Sequence, residues 1–206
     1  MENINIYIIN LVKRKDKLDY ILDYFKNIKN INFIIFNAIE NEIGWIGCLE
    51  SHLTLVKYAF DNNLPYIIIM EDDFNLHISF SEFKNLIYKL INFNNIYIFN
   101  GCPSYTNTFI KYKYSDDNFC LAHGILSTAF IIYYKNSYEL LLNCNIQKPI
   151  DVINYNLFNK QLIYIKQFGT QKPFFSDVSN NFSDHADHYS FIYDILDLYP
   201  YDKIIK

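Results

Sequence analysis

The sequence predicts an α/β fold, a central sheet of mostly parallel strands flanked by helices. Three observations lead there. Short apolar runs rich in β-branched residues recur at 4–11, 31–38, 66–70 and 95–101, and segments with helical apolar spacing separate them. The 206-residue chain shows no linker and no internal repeat, which favours one domain over 1–206.

The elements follow in order. "INIYIINL" (4–11) is a buried strand, and 14–28 places Leu18, Ile21, Leu22, Phe25 and Ile28 at helical spacing. "INFIIFNA" (31–38) is the second strand, which makes a βαβ unit with parallel strands. A helix over 48–63 carries the stripe Leu49, Leu53, Val56 and Phe60; "NLP" ends it, and "YIIIM" (66–70) is the third strand. A helix over 81–93 takes Ser81 as its N-cap, and 95–101 is the fourth strand. Beyond Gly101 the alternation weakens into an irregular Tyr-rich piece. A strand at 127–135, helices at 136–144 and 150–159, and a strand at 161–167 follow, with a polar, His-containing loop over 176–187.

Composition narrows the function classes. A net charge of −4 lacks the basic excess of a nucleic-acid binder. Four cysteines, Cys48, Cys102, Cys120 and Cys144, form no CxxC pair and have no histidine at zinc-finger spacing, so they read as free thiols. There is neither a signal-peptide pattern nor the roughly 18–20 apolar residues of a membrane span, and a cytoplasmic or otherwise intracellular soluble protein is expected. The Asn, Lys and Ile bias is of the kind an A+T-rich genome produces.

The chemistry-bearing stretch is "LPYIIIMEDDF" (64–74), where Glu71, Asp72 and Asp73 follow an apolar strand. Ligands of open parallel sheets bind at the carboxyl ends of strands. Clustered carboxylates resist ionisation unless a cation neutralises them, and a hard ion such as Mn²⁺ or Mg²⁺ prefers oxygen ligands while bridging phosphates. The other reading is a solvated loop whose acids cap the next element.

Three neighbouring segments bear on that choice: "IINLVKRKDK" (8–17), "IGCLESH" (46–52) and "QKPFFSDVS" (171–179). Together with "YIIIMEDD" they resemble, in order and spacing, glycosyltransferase family 25, which includes lipooligosaccharide galactosyltransferases and collagen β-galactosyltransferases. The resemblance implies a nucleotide-diphosphosugar fold of the GT-A type, a UDP-sugar donor, a divalent metal and inversion at the anomeric carbon. On that basis 1–101 is the nucleotide-sugar half, and 102–206 is the acceptor half with the tail. The implied reaction moves a hexose, galactose before glucose, to a hydroxyl of a glycan or of a hydroxylysine-type protein acceptor. The alternatives are an inactive relative that binds a nucleotide-sugar or glycan, and a Mg²⁺-dependent phosphotransfer or hydrolase enzyme, for which no P-loop is present.

Carried over to this chain, the resemblance places Asn10 and Leu11 at the nucleotide and Arg14 at the diphosphate. Exposed helix charge is the other reading of Arg14. Lys17 departs from the family, where Arg is common. Gly47, Ser51 and His52 match the glycine and the Ser-His pair of the family, with Gly47 read as the turn into the helix, whereas Glu50 stands where a small or apolar residue is usual. Glu71 and Asp73 are the expected metal ligands, with Asp72 at the donor. Asp151 in "KPID" is either the general base or a helix cap. Gln171, Ser176 and Asp177 match the late segment. His185, with His188 nearby, is a candidate late metal ligand by analogy with the fold.

Overall fold

The structure, a computed structural model, describes residues 3–93, 95–166, 168–176, 181–183 and 204–205. The first apolar run forms β1 (Ile4–Asn10), which lies between β2 (Ile31–Asn37) and β3 (Tyr66–Glu71) and is parallel to both. β3 explains why such runs are unbroken. Its Ile68 and Met70 enter one core cluster while Ile67 and Ile69 enter another, so helices cover both faces of the strand.

On the first face lie α1 (Lys15–Phe25), which buries Ile21 and Phe25, and α3 (Phe80–Leu90), which buries Phe83, Leu86, Ile87 and Leu90. On the second lie α2 (Gly44–Asp61), α4 (Lys135–Leu142) and α5 (Ile150–Leu157). Each large aliphatic side chain so buried contributes about 1.5–3 kcal/mol from lost water contact, and this anchors the layers. The first face also carries an aromatic cluster. Phe130 packs against Phe74, Phe83 and Phe168 at centroid distances of 5.2, 5.9 and 4.9 Å.

The remaining strands are β4 (Phe74–Leu76), β5 (Ile98–Asn100), β6 (Ser104–Lys113), β7 (Phe119–Leu126), β8 (Phe130–Tyr134), β9 (Gln161–Tyr164), β10 (Gly169–Gln171), β11 (Phe174–Ser176), β12 (Asn181–Ser183) and β13 (Ile204–Ile205). The central sheet runs β13-β6-β7-β9-β5-β8-β3-β1-β2, so both halves of the chain share one sheet, while β4 pairs with β10 and β11 with β12. The α/β class expected from the sequence holds. Its parallel character lies in β2-β1-β3 and in β5 with β9. β8, inserted between β3 and β5, is antiparallel to both, and β7 is antiparallel to β6 and β9.

Three local readings change. The Tyr-rich piece expected to be irregular is the β6–β7 hairpin, whose register shifts between Tyr105 and Ile110 and so blurs the two-residue period that marks a strand. α2 begins at Gly44 rather than 48. The N-cap of α3 is Ser79, not Ser81: its Oγ accepts from the Glu82 amide at 3.2 Å, in a Ser-x-x-Glu capping arrangement, while Ser81 lies inside the first turn. Ser79→Ala is therefore expected to cost about 1 kcal/mol in urea unfolding. Ser81→Ala should stay within about 0.5 kcal/mol.

Candidate functional site

The carboxyl ends of β1 and β3 lie side by side, with Ile9 opposite Glu71. Glu71 is the last residue of β3, and Asp72 and Asp73 form the turn into β4. That turn is held from across the chain. β10 pairs with β4, Gln171 stands opposite Phe74, and the Lys172 amide donates to the Asp73 carbonyl at 2.7 Å. Gln171 is thereby delivered to the triplet, where its Nε2 donates to Glu71 Oε2 at 3.2 Å and to Asp73 Oδ1 at 3.3 Å.

The countercharge comes from α1. Lys17 is buried, and its Nζ lies 3.2 Å from Asp72 Oδ1 and 3.1 Å from Asp73 Oδ2. Lys17, Ile21 and Phe25 follow one another at four-residue spacing, so the stripe that packs α1 on the sheet also aims the ammonium at the acids. Burial works to lower the Lys17 pKa, but Asp73 and Asp72 outweigh it and the net shift is upward. One ammonium does not satisfy three carboxylates. Desolvation, with the neighbouring acids and against the pull of Lys17, pushes Asp72 up to about 7 and raises Asp73 as well. Glu71 moves the other way: burial would raise it, but His52, Thr128 and Lys17 together hold it below its ordinary value.

Thr128 is a partner that the sequence did not flag. Its Oγ1 donates to Glu71 Oε1 at 2.6 Å from the turn between β7 and β8. In that turn Ser127 has φ 81°, a left-handed conformation that is costly for a residue with a side chain. Buried Asn100 holds it there, with Nδ2 donating to the Ser127 carbonyl at 2.8 Å and Oδ1 accepting from the Cys102 amide at 3.0 Å. Asp151 approaches from the same side. It is not the N-cap of α5, a position that Pro149 occupies, but a first-turn residue whose Oδ1 accepts from the Val152 amide at 2.8 Å. Burial raises its pKa, opposed by the amides of Val152 and Ser127 and reinforced by the charge of Glu71.

The Gly-x-x-x-Ser-His segment serves the fold as well as the site. Gly47 does not form the turn into the helix but lies within α2. A Cβ there would come 2.3 Å from the Ile39 carbonyl oxygen, so glycine is what lets the loop after β2 press on the helix. Ser51 ties the same loop down. Its Oγ accepts from the Ile39 amide at 2.8 Å and donates to the Gly47 carbonyl at 2.7 Å, so its hydroxyl is spent within the fold. His52 is fully buried, 3.7 Å from Glu71 by Nε2 to Oε1, too long for a hydrogen bond. Cys48, read as a free thiol, precedes His52 by one helical turn. The i, i+4 spacing is the signal that points to it. Glu50 is exposed on α2, away from the buried Ser51 and His52.

The other sequence-derived positions divide. Asn10 ends β1 beside the triplet, with Nδ2 donating to the Leu11 carbonyl at 2.8 Å, and its buried Oδ1 has no partner among the described residues. Leu11 is half-buried next to it. Arg14 pairs with Asp16, its Nε and Nη2 each donating at 2.9 Å to one carboxylate oxygen, and this holds the Asp16 carboxyl down at about 2. Ser176 is described only in its backbone, as the end of β11; Asp177, His185 and His188 lie outside the described residues.

The donors gathered at the triplet are hard oxygens carrying more negative charge than Lys17 balances. This fits a divalent cation of the Mn²⁺ or Mg²⁺ kind bound through Asp72, Asp73 and Glu71. Removing Lys17 alone leaves buried charges unpaired, so Lys17→Met should destabilise the metal-free protein by about 3–5 kcal/mol at neutral pH. The loss should shrink toward pH 4 in urea titrations, because the carboxylates then take up protons.

Among solved structures, the chain is similar to mannose-1-phosphate geranyltransferase from Thermus thermophilus, at 8% identity and TM-score 0.46, covering 80% of this chain and 74% of that one. It is also similar to a glycosyltransferase involved in glycosylation of the major capsid of PBCV-1, at 14% identity and TM-score 0.40, covering 67% and 62%. Neither likeness is close enough to inform the chemistry. In sequence, a Haemophilus influenzae protein described as "Putative glycosyltransferase" is 31% identical over a match covering 40% of this chain. The chain spans only 36% of that relative's length. Residues 42–116, which contain Gly47, Ser51, His52 and the acidic triplet, match the model of glycosyltransferase family 25 (LPS biosynthesis protein). Over that segment the chain is similar to glycosyltransferase family 25.

Proposed function

We propose that this chain is a metal-dependent inverting glycosyltransferase that moves a hexose, galactose before glucose, from a UDP-sugar to an acceptor hydroxyl. The observation that carries the reading is the triplet Glu71, Asp72 and Asp73, gathered with insufficient countercharge at the carboxyl edge of β1 and β3. A Mn²⁺ or Mg²⁺ ion held there by Asp72, Asp73 and Glu71 would neutralise charge on the departing diphosphate. Asn10 and Leu11 lie at the end of β1 beside the triplet, where they would meet the base and ribose of a nucleotide. Gln171 orients two of the carboxylates by donating to both.

Asp151 is the proposed general base. Its pKa is raised by burial, which makes it a better proton acceptor than an ordinary carboxylate. It removes the proton from the acceptor hydroxyl as that oxygen bonds to the anomeric carbon and the bond to UDP breaks on the opposite face. The acceptor is a glycan or a hydroxylysine-type protein hydroxyl, a choice resting on the family resemblance alone. One observation favours the second reading, a relative that binds nucleotide-sugar without transferring it: Lys17 already bridges Asp72 and Asp73, where a metal would bind.

UDP release from UDP-galactose and UDP-glucose, with and without Mn²⁺, separates the two readings; turnover that ignores the metal overturns the first. Asp73→Asn should lower metal-dependent turnover by about 10²–10³-fold while preserving the circular dichroism spectrum. Asp151 is active only when ionised, so the activity of the native chain should rise with pH through a value above 3.8, its ordinary pKa. Asp151→Asn should abolish that limb of the kcat/KM profile, and an unchanged profile would remove Asp151 from the mechanism.

A further inference from the structure

The second cluster at this end of the sheet is built from softer donors. Cys48 and His52 stand one turn apart on α2 and face Glu71 at the end of β3, and one ligand atom from each lies within 4.8 Å of the other two. His52 is fully buried, and neither of its ring nitrogens has a hydrogen-bond partner among the described residues. A buried imidazole left in that state is costly, because it forfeits water without replacement. Tyr133 meets the ring only edge-on, at 6.3 Å and 87°, and its hydroxyl accepts from Asn154 Nδ2 at 2.9 Å.

Distance identifies what is missing. The 3.7 Å between His52 Nε2 and Glu71 Oε1 is too long for a hydrogen bond. Nitrogen and oxygen ligands about 2.0–2.2 Å from a shared tetrahedral ion stand roughly 3.3–3.6 Å apart, so a slight closure of this pair would bring both onto one ion. Thiolate, imidazole and carboxylate together suit a borderline-soft ion and not Mg²⁺ or Ca²⁺. Glu71 has capacity for this role, since Thr128 donates to Oε1 and Gln171 to Oε2, which leaves further lone pairs on each oxygen.

We propose that Cys48 Sγ, His52 Nε2 and a Glu71 carboxylate oxygen form a Zn²⁺-class site, with three protein ligands and a fourth position left for water or another donor. Binding exchanges the thiol proton of Cys48, released to solvent, for the metal–sulfur bond. The site shares Glu71 with the hard-oxygen end formed by Asp72 and Asp73 but takes its other two ligands, Cys48 and His52, from α2, and it stands whether or not the chain transfers sugar. Its role is to lock the start of α2 onto the end of β3, which fixes the orientation of Glu71 and so the mouth of the donor site.

Co²⁺ titration of the full chain, stripped of metal and reduced, tests this. One equivalent should produce a thiolate-to-cobalt charge-transfer band and the intense visible bands of four-coordinate cobalt, and Zn²⁺ should abolish both. Cys48→Ser should remove the charge-transfer band. His52→Gln should weaken Co²⁺ binding by more than about 10-fold, since even changes outside the first ligand shell cost roughly 10–100-fold. Asp73→Asn should leave the band in place. Absence of a thiolate band in the native chain, or a band that survives Cys48→Ser, overturns the site. The native-chain titration needs no variant to fold, so the proposal stays falsifiable if His52→Gln does not.

Discussion

The structure at this sheet edge depends on one electrostatic constraint: three carboxylates brought out of water against a single buried ammonium. Lys17 reaches Asp72 and Asp73 because α1 packs through Ile21 and Phe25, its neighbours on the same stripe. Hydrophobic burial thus positions the charge. Desolvation in turn leaves the acids short of countercharge, and that shortage sets the edge apart from an ordinary ion pair.

The rest of the site is arranged to keep the triplet in place without neutralising it. Gln171 arrives through the β4–β10 pair, and Thr128 arrives from a turn whose left-handed Ser127 is held by buried Asn100. Both are neutral donors. They order the carboxylate oxygens while leaving their charge available to a ligand, which a second lysine would not do. The strain at Ser127 is the cost of aiming the Thr128 hydroxyl at Glu71 while the Ser127 amide faces Asp151.

α2, on the second face, ties the loop after β2 to this arrangement. Gly47 and Ser51 seat the loop after β2, and the next residue, His52, then points toward Glu71. The short motif is therefore read twice by the fold. Its small residues serve packing, and its Cys48 and His52 stand close to Glu71. No helix of the described residues is long and apolar enough to cross a membrane.

Much of the fold was legible in the sequence because period and apolarity are local properties. The β-branched runs marked β1, β2, β3 and β8, and the spacing in "KLDYILDYF" marked α1. The β6–β7 hairpin was hidden by its register shift, and Ser79 lost to Ser81 because a cap is decided by which amide its hydroxyl meets. The acidic triplet, Gln171 and Asp151 were named from order and resemblance. Their company was not. That Lys17 is the countercharge, that Thr128 completes Glu71, and that Cys48 faces it with His52 are facts about residues far apart in the chain and brought together by packing. Sequence by itself determined the elements and the acids at a strand's end. Only the tertiary structure decided which groups share those acids, because burial, distance and unsatisfied polar atoms exist only once the chain has closed on itself.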